Sequence, residues 1–462
     1  MTGRWDPSFF RPDLVALEER VRKVTPHRLR DFVQRMAGGA TPATKEAKTH
    51  YTEGTDGVPF IRVQNLSTTG HLSLENCKRI TRSTHEGLLA RSKLSGGELL
   101  VKITGVGRMA IASIVPDAFE ANINQHIVAI RTKDKKTSET LEAWLNLDTA
   151  ERLASRRSTG GTRPALDYPA LLSIPIVFDK RLPSLVGAAI TKFQARLTKG
   201  TNLLASIDDL LLAELGIQNK PEQPNTSASR IFPCSVSELS GSRLDPNYYQ
   251  SKYRCLIESI REGRFTVEPL HCACSILSSG KTPSRDAYSE EVTDFPIVKV
   301  ASYTDDLIDL SKVDYACYLQ PYEIRKNDIF ILSAAHQPEF VGRFVKRLIQ
   351  EPEKRTSFVG ELICARPDDS KVDPNYLFAV LSCALFQDLL NREKRGQTSH
   401  IYSQDIGKIE IPLPSKSDQT RIAEKIEAVR SQANILIEYA AKDLKQEKRE
   451  IEALILGKGV VA

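Results

Sequence analysis

Two groups of basic residues, each mixed with glycine and hydroxyl side chains, are the part of this sequence whose residue types could do chemistry. The first-half group contains Arg152, Arg156, Arg157, Thr162 and Arg163, and the second-half group contains Arg392, Lys394, Arg395 and Thr398. Guanidinium and ammonium groups supply positive charge, glycine lets backbone amides approach an oxygen closely, and hydroxyls add short donors. The pattern predicts loops that contact phosphate, with a solvated basic loop as the alternative interpretation.

Further basic residues lie on or beside strand-like segments of both halves. They are Arg62, Arg79, Arg82, Lys102 and Arg108 in the first half and Lys299, Arg343, Lys346 and Arg347 in the second. Arginine and lysine make the commonest specific contact to guanine in the DNA major groove. We therefore treat these residues as candidate DNA contacts, to bases or to phosphates.

Residues suited to catalysis or metal binding do not form a complete site in the sequence. Asp245-Pro246-Asn247-Tyr248 and Asp373-Pro374-Asn375-Tyr376 look like the Asp-Pro-Pro-Tyr motif of amino-methyltransferases, but both lack the second proline and no glycine-rich cofactor loop precedes them. No phosphate-binding Gly-x-x-x-x-Gly-Lys-Ser/Thr loop is present. His271-Cys272-Ala273-Cys274 places its ligands too close together for a zinc site, and a buried strand is the preferred interpretation. The sequence predicts no enzyme activity, cofactor or metal in this chain.

The elements that position these groups occur twice. Arg4-Trp5-Asp6-Pro7-Ser8-Phe9-Phe10 returns as Arg243-Leu244-Asp245-Pro246-Asn247-Tyr248-Tyr249, and three further matches keep nearly the same offset. Those matches are Gly39-Ala40-Thr41-Pro42 with Gly280-Lys281-Thr282-Pro283, Ile174-Pro175 with Ile411-Pro412, and Leu215-Gly216 with Leu456-Gly457. Four matches in register predict a tandem duplication with pseudo-symmetry, which suits a repetitive partner such as duplex DNA. Thr41 and Thr282 of the Gly-x-Thr-Pro pair join the candidate DNA contacts, although the motif by itself mainly indicates a turn.

Each half reads as a mixed α/β domain followed by a long helix. Predicted strands are 59–63, 98–103 and 125–130 in the first half and 295–300, 328–332 and 357–360 in the second, with helices at 141–153 and 376–391. After Pro183 and after Pro414, apolar residues recur at steps of three and four, which predicts the seam of a coiled coil between the two copies' helices.

The turn-rich stretch 219–229 reads as a linker that lets these helices lie antiparallel. The predicted fold is therefore α+β, with two pseudo-symmetric α/β target-recognition domains separated by an antiparallel two-helix coiled coil. We expect one recognition domain at 1–180, a helical spacer and linker at 181–240, a second recognition domain at 241–414 and a second helical spacer at 415–462.

Bulk properties agree with a DNA-binding protein of the cytoplasm. The chain has 462 residues, 41% of them apolar, and a formal net charge of +6, which gives only a weak attraction to anionic partners. No apolar run approaches the roughly 20 residues of a membrane helix, and the N-terminus lacks a secretory pattern. The eight cysteines are scattered, as expected for reduced thiols.

These features together resemble the specificity subunit of type I restriction-modification systems, across essentially the whole chain. The segment 409–414, Ile-Glu-Ile-Pro-Leu-Pro, followed by 418–426, is very similar to that family's boundary between recognition domain and helix. The Gly-x-Thr-Pro pairs are similar to its recurrent opening. Ile174-Pro175-Ile176-Val177 lacks the second proline, so the first helix is identified by position and periodicity alone.

The resemblance implies a non-catalytic subunit that binds double-stranded DNA. Each domain would read one half of a split, asymmetric site, and the helices would set the gap and dock methyltransferase subunits, two in number. S-adenosylmethionine, ATP and Mg would belong to those subunits and to a motor-nuclease subunit. The alternatives are a standalone methyltransferase or nuclease with fused reader domains, and a scaffold that binds proteins only.

Overall fold

The computed structural model describes residues 6–218, 226, 231–236, 239, 243–304, 306–396 and 399–457. The chain divides into two compact units, and each is described by itself. Unit 1 comprises residues 1–198 together with 437–462, and unit 2 comprises residues 199–436. The domain boundaries at 180, 240 and 414 stay a prediction, and most of the predicted linker lies outside the described residues.

The first half of the chain forms eight strands and eight helices among its described residues. In chain order they are α1 (Pro12–Val24), β1 (Arg35–Gly38), α2 (Ala47–His50), β2 (Tyr51–Thr52), β3 (Val58–Ile61), β4 (Arg79–Ile80), α3 (Arg82–Glu86), β5 (Leu99–Lys102), β6 (Ala112–Ile114), β7 (Asn122–Ile123), β8 (Ile127–Arg131), α4 (Lys135–Leu145), α5 (Asp148–Arg157), α6 (Tyr168–Leu172), α7 (Leu182–Ala205) and α8 (Ile207–Leu215).

The described residues of the second half add ten strands and five helices. They are α9 (Ser251–Arg261), β9 (Val267–Pro269), β10 (Cys274–Ser279), β11 (Tyr288–Ser289), β12 (Pro296–Val298), β13 (Asp314–Ala316), β14 (Ile329–Leu332), β15 (Val345–Arg347), β16 (Ser357–Phe358), β17 (Leu362–Pro367), α10 (Pro374–Ser382), α11 (Ala384–Arg392), α12 (Ser403–Ile406), β18 (Glu410–Pro412) and α13 (Lys416–Leu456).

Each unit contains two four-stranded sheets with matching strand orders. The larger sheet is β1-β8-β5-β6 in unit 1 and β10-β17-β14-β15 in unit 2, and every neighbouring pair in it is antiparallel. The smaller sheet is β2-β4-β3-β7 in unit 1 and β11-β13-β12-β16 in unit 2, and each has one parallel pair. The predicted duplication and mixed α/β class are confirmed.

Alternating side chains of the central strands pack into two separate cores. In β5, Leu99 and Val101 join the core that includes the helices, while Leu100 faces the core beside the smaller sheet. In β14, Ile329 and Ile331 face the first kind of core, and Phe330 and Leu332 face the second. Successive side chains of these strands thus point to opposite faces, and because both faces are buried the strands appear in the sequence as continuous apolar runs.

The two predicted helices of the globular copies are each broken into a pair. Segment 141–153 forms the end of α4 and most of α5, because the Asn146 amide leaves the helix to pair with Ala112 of β6 at 2.8 and 3.1 Å. Segment 376–391 is interrupted at Cys383, where Asp208 accepts a hydrogen bond from the Ala384 amide at 2.9 Å. The single-helix predictions at these places were wrong.

Within unit 1, α7 packs against the last part of α13 in the antiparallel direction. Lys192 contacts Glu447 at 3.1 Å, and one turn further along α7 Arg196 pairs with Asp443, one turn earlier on α13. Leu182 and Ile451 lie in the same core. Leu454, which the predicted seam includes, is 58% exposed instead.

Within unit 2, α8 packs against the first part of α13. Ile207 and Leu211 share a core with Ile422 and Ile426. Glu214 accepts hydrogen bonds from Lys425 at 2.6 Å and Arg421 at 2.7 Å, which lower the pKa of Glu214 to about 2. The helix ends at Gly216, whose φ of 67° is the left-handed conformation that closes helices.

None of the helices formed by the described residues combines the length and the apolar character needed to span a bilayer.

Candidate nucleic-acid interface

Loops from four places in the first half meet at one end of the larger sheet of unit 1. The antiparallel pairing puts the end of β1 and the start of β8 side by side, next to the end of β5 and the start of β6. We call residues 39–41, 104–107, 124–126 and 159–164 the unit 1 loop surface. The sheet thus presents four loops together, as a binding surface carried by a rigid scaffold requires.

Side-chain and backbone hydrogen bonds connect these loops. Thr41 Oγ1 donates to Gln125 Oε1, and the Arg163 guanidinium donates to His126 Nε2 at 2.9 Å. Burial and the nearby Arg163 lower the pKa of His126, which favours the neutral ring as acceptor. The amide of Gly105 donates to Pro164 O at 2.9 Å. Thr41, Thr162 and Arg163 are exposed, so three of the predicted DNA contacts lie on this surface.

Unit 2 repeats the arrangement with different side chains. The corresponding unit 2 loop surface consists of residues 280–282, 333–344, 360–361 and 399–400. Thr282 Oγ1 donates to Glu361 at 2.8 Å and accepts from the Gly360 amide at 2.9 Å, which matches the Thr41–Gln125 pair. Ala334 and His400 form a backbone bridge between the two remaining loops.

A groove of about 1010 Å³ opens on the unit 2 loop surface. The side chains of His336, Phe340, Phe344 and Glu361 line it. Lys346 of the predicted set also lies here. Aromatic walls with a few polar groups suit a nucleobase, because they offer stacking together with hydrogen bonds to base edges.

The glycine of each Gly-x-Thr-Pro motif permits a close backbone contact. A Cβ on Gly39 would lie 2.1 Å from Asn124 O, and one on Gly280 would lie 2.3 Å from Phe358 O. A side chain at either place would push the loop off the sheet. The motif therefore holds the threonine of each loop surface in position, in addition to marking a turn.

Arg156 and Arg157 lie inside unit 1 and pair with one carboxylate. Arg156 and Arg157 both contact Glu18, the latter at 2.7 Å, and all three side chains are buried. Burial opposes ionisation of Glu18, but Arg157 and Arg156 outweigh it and lower the pKa of Glu18 below its usual value. DNA contact by these two arginines stays a prediction, but their burial makes them part of the interior of unit 1, so we expect their replacement to affect folding.

The opening motif of each half folds onto a basic residue in the last turn of a helix. Arg156 lies 4.4 Å from the ring centre of Phe9 and donates to Phe9 O at 2.8 Å. Arg392 lies 3.7 Å from the ring centre of Tyr248 and donates to Tyr248 O at 3.0 Å. Asp6 and Asp245 accept from the amides of Phe9 and Tyr248 at 3.0 and 3.1 Å. The repeated Asp-Pro-x-aromatic-aromatic sequence thus packs against a basic side chain within each unit and holds it in place. The repeat alone did not predict this role.

Lys102 and Arg108 support the unit 1 loop surface from beneath. Lys102 is buried and donates to Val106 O at 2.8 Å and Arg108 O at 2.9 Å, and burial lowers the pKa of Lys102. Arg108 pairs with Asp148 at 2.7 Å. Both side chains fix the conformation of the loop between β5 and β6. DNA contact by Lys102 and Arg108 stays a prediction, and their low exposure does not support it.

Three further predicted residues lie around the smaller sheet of unit 1. Arg62 is half-buried, Arg79 donates to Gly57 O at 2.6 Å, and the exposed Arg82 pairs with Glu120 at 3.0 Å. They are not part of the unit 1 loop surface as defined above.

The remaining predicted residues of unit 2 are mostly half-buried and paired. Lys299 pairs with Asp314, Arg343 with Asp388, and Arg347 with Glu427 at 2.7 Å. Lys394 donates to Asn391 at 2.9 Å and Arg395 pairs with Asp405 at 2.5 Å. Of these only Arg395 is exposed, and Thr398 lies outside the described residues.

Several polar and aromatic residues of the loop surfaces were missed by a search based on positive charge. They are Gln125, His126, His336, Phe340, Phe344, Glu361 and His400. A usable signal existed for some of them, because Gln125, His126 and Glu361 directly precede strands β8 and β17. The segment His271-Cys272-Ala273 forms a 3-10 turn and only Cys274 enters a strand, so the preferred strand interpretation holds for one residue of that motif.

Comparison with known proteins identifies the second half of the chain. Residues 273–446 match the family model described as Type I restriction modification DNA specificity domain. Comparison with the curated proteins gives no match. The family match therefore supplies the functional information.

Three solved structures are similar to this chain at low sequence identity. A chain from a study of complex assembly and conformational transition of the type I R-M system has 18% identity and a TM-score of 0.47, covering 95% of this chain and 98% of that one. The HsdS subunit from Thermoanaerobacter tengcongensis has 15% identity and a TM-score of 0.38, with coverage of 94% and 95%. The S subunit of a type I restriction-modification system from M. genitalium has 12% identity and a TM-score of 0.38, with coverage of 91% and 95%.

The matched segment includes the whole unit 2 loop surface and the long helix α13 up to residue 446. The second half of the chain, over residues 273–446, therefore carries a segment similar to the type I restriction modification DNA specificity domain.

Proposed function

We propose that each unit reads one half of a bipartite, asymmetric DNA site through its loop surface. The observation that carries this proposal is that the same four loops assemble in both units while their side chains differ. Thr41 faces Gln125 in unit 1, whereas Thr282 faces Glu361 in unit 2. An amide can pair with adenine and a carboxylate can accept a hydrogen bond from cytosine, so two different half-sites are expected.

The long helices act as the spacer between the half-sites and as the docking place of two methyltransferase subunits. The ion pairs that join α7 and α8 to α13 within their units support a stiff helical pair. The chain itself does no chemistry in this proposal. Adenine methylation with S-adenosylmethionine and cleavage driven by ATP and Mg belong to methyltransferase and motor-nuclease subunits, in the cytoplasm.

Mapping methylated adenines in cells that express this chain tests the proposal. We expect a split recognition sequence that disappears when the chain is deleted. Glu361→Gln should relax or change the sequence of one half-site and Gln125→Ala that of the other, while Glu75→Gln, an exposed carboxylate outside both surfaces, should leave both unchanged. A change of both half-sites by one substitution would refute the assignment of one half-site to each unit.

Two alternatives predict different results with the purified chain. A fused methyltransferase or nuclease would modify DNA without added subunits. A scaffold that binds proteins only would show no salt-sensitive retention of duplex DNA, whereas a protein that contacts several phosphates loses affinity steeply as salt rises.

A further inference from the structure

Three side chains with metal-binding atoms converge beside the smaller sheet of unit 1. His85 and Glu86 end α3, and Glu120 lies just before β7. One ligand atom from each residue lies within 4.8 Å of the other two. His85 Nε2 is 3.1 Å from Glu120 Oε1 and 3.6 Å from Glu86 Oε1, and His85 is only 2% exposed.

The hydrogen bonds of Asn122 determine which nitrogen of His85 carries a proton. Asn122 Nδ2 donates to Leu89 O at 2.7 Å and to Ser92 Oγ at 3.1 Å. Its Oδ1 therefore faces His85 Nδ1, at 2.5 Å. The opposite orientation of the amide would put an oxygen against the Leu89 carbonyl. His85 Nδ1 must be the donor, which leaves Nε2 directed toward the carboxylates.

In a neutral His85 the lone pair of Nε2 would then face only hydrogen-bond acceptors. Nε2 has no proton in this tautomer, and its two neighbours are carboxylate oxygens. Buried polar atoms are rarely left in that situation. Positive charge is needed among the three atoms, either as a second proton on the ring or as a bound cation.

We propose that His85 Nε2, Glu86 Oε1 and Glu120 Oε1 bind one divalent transition-metal ion. Metal–nitrogen and metal–oxygen bonds of about 2.0–2.1 Å at tetrahedral angles put neighbouring ligand atoms about 3.3 Å apart. The separations of 3.1 and 3.6 Å bracket that value. One imidazole with two carboxylates suits Zn²⁺ or Mn²⁺, and Asn122 supplies the outer hydrogen bond that ligating histidines commonly make.

The nearby cations do not occupy the ligand atoms. Arg82 pairs with the other oxygen of Glu120, Oε2, at 3.0 Å, and Lys93 pairs with Oε2 of Glu86. Both Oε1 atoms stay directed toward His85. The side chains of Glu86 and Glu120 are 61% and 49% exposed, which leaves a path for the ion and for water as a further ligand.

Binding of Mn²⁺ and of Zn²⁺ by the full-length chain tests the proposal. The chain is freed of metal with a chelator, dialysed against each ion in turn, and its bound metal is measured. Mn²⁺ is the main probe because it prefers oxygen and nitrogen ligands, so the cysteines contribute little. We expect the parent protein to bind one ion per chain at this site. The affinity for that ion should be at least tenfold weaker in Glu120→Gln and in Glu86→Gln.

Glu75→Gln is the matched control, since Glu75 is an exposed carboxylate of the same unit. It should bind metal as the parent does. Thermal unfolding of each metal-free variant verifies that it folds, and Glu86→Gln, at the more exposed ligand, keeps the test available if Glu120→Gln unfolds. Equal binding by the parent and by folded Glu86→Gln, or no binding by the parent, would overturn the proposal and leave an imidazolium–carboxylate pair.

Discussion

Replacing Arg156 by alanine should destabilise unit 1 without any DNA present. Arg156 is buried, pairs with the buried Glu18, donates to Phe9 O and lies against the Phe9 ring. The substitution removes all three interactions together. It also takes one of the positive charges from Glu18, whose other partners are Arg157 at 2.7 Å and Arg22 at 2.5 Å.

The size of the effect follows from these contacts. Breaking a buried ion pair by removing one partner costs about 3–5 kcal/mol when the other charge is left uncompensated. Glu18 keeps Arg157 and Arg22, so the low end of that range applies. We expect the free energy of unfolding of unit 1 to fall by about 3 kcal/mol, of which the cation–π contact accounts for about 1 kcal/mol.

Urea unfolding of the full-length chain measures this change. Arg152→Ala is the matched control, because Arg152 lies half-buried in the same helix and pairs with the exposed Asp13 at 3.3 Å. Its effect should be below about 1 kcal/mol, as for other surface pairs. If Arg156→Ala unfolds at the same urea concentration as the parent and instead weakens DNA binding, the structural role assigned to Arg156 is wrong and the phosphate-contact interpretation is correct.

Three further predictions address binding, pH and spacing. Arg163→Ala should weaken binding to all duplex sequences alike and reduce the slope of log affinity against log salt by about 1. Fluorescence anisotropy measures this slope, and an unchanged slope would show that Arg163 does not contact DNA. Burial raises the pKa of Glu142 to about 7 from 4.5, so its stabilising contribution is present below pH 4.5 and is lost as pH rises through 7. Urea midpoints at pH 5 and 8 should therefore differ less in Glu142→Gln than in the parent, and an equal difference would contradict this account. Inserting one helical turn after Ala205 should lengthen the gap in the methylated sequence, and an unchanged gap would reject the spacer role.

The fold was predictable where a pattern within a few residues carries the information. Short continuous apolar runs bounded by turn residues made β5 and β14 predictable as strands, and the matched motifs showed the duplication. The break at Asn146 was not predictable, because its cause is Ala112, 34 residues earlier in the chain. Secondary structure that depends on a distant partner leaves no local pattern.

The candidate site was predictable only in part, for a related reason. Arg163 and Arg156 look alike in sequence, since both are basic residues beside a run of serine and glycine. Arg163 is exposed, whereas Arg156 meets a carboxylate 138 residues earlier in the chain. Positive charge alone therefore did not distinguish surface contacts from internal ion pairs. Neutral or acidic residues such as Gln125 and Glu361 were not among the predicted DNA contacts.

The division of the chain into units also affects how it folds during synthesis. Ile451 and Leu456 complete the core that the first 198 residues begin, yet they follow all of unit 2 in the sequence. A growing polypeptide on the ribosome must therefore hold the first 198 residues with an uncovered apolar face until residues 437–457 have been synthesised. A premature stop before residue 437 would leave that face open to proteases and chaperones.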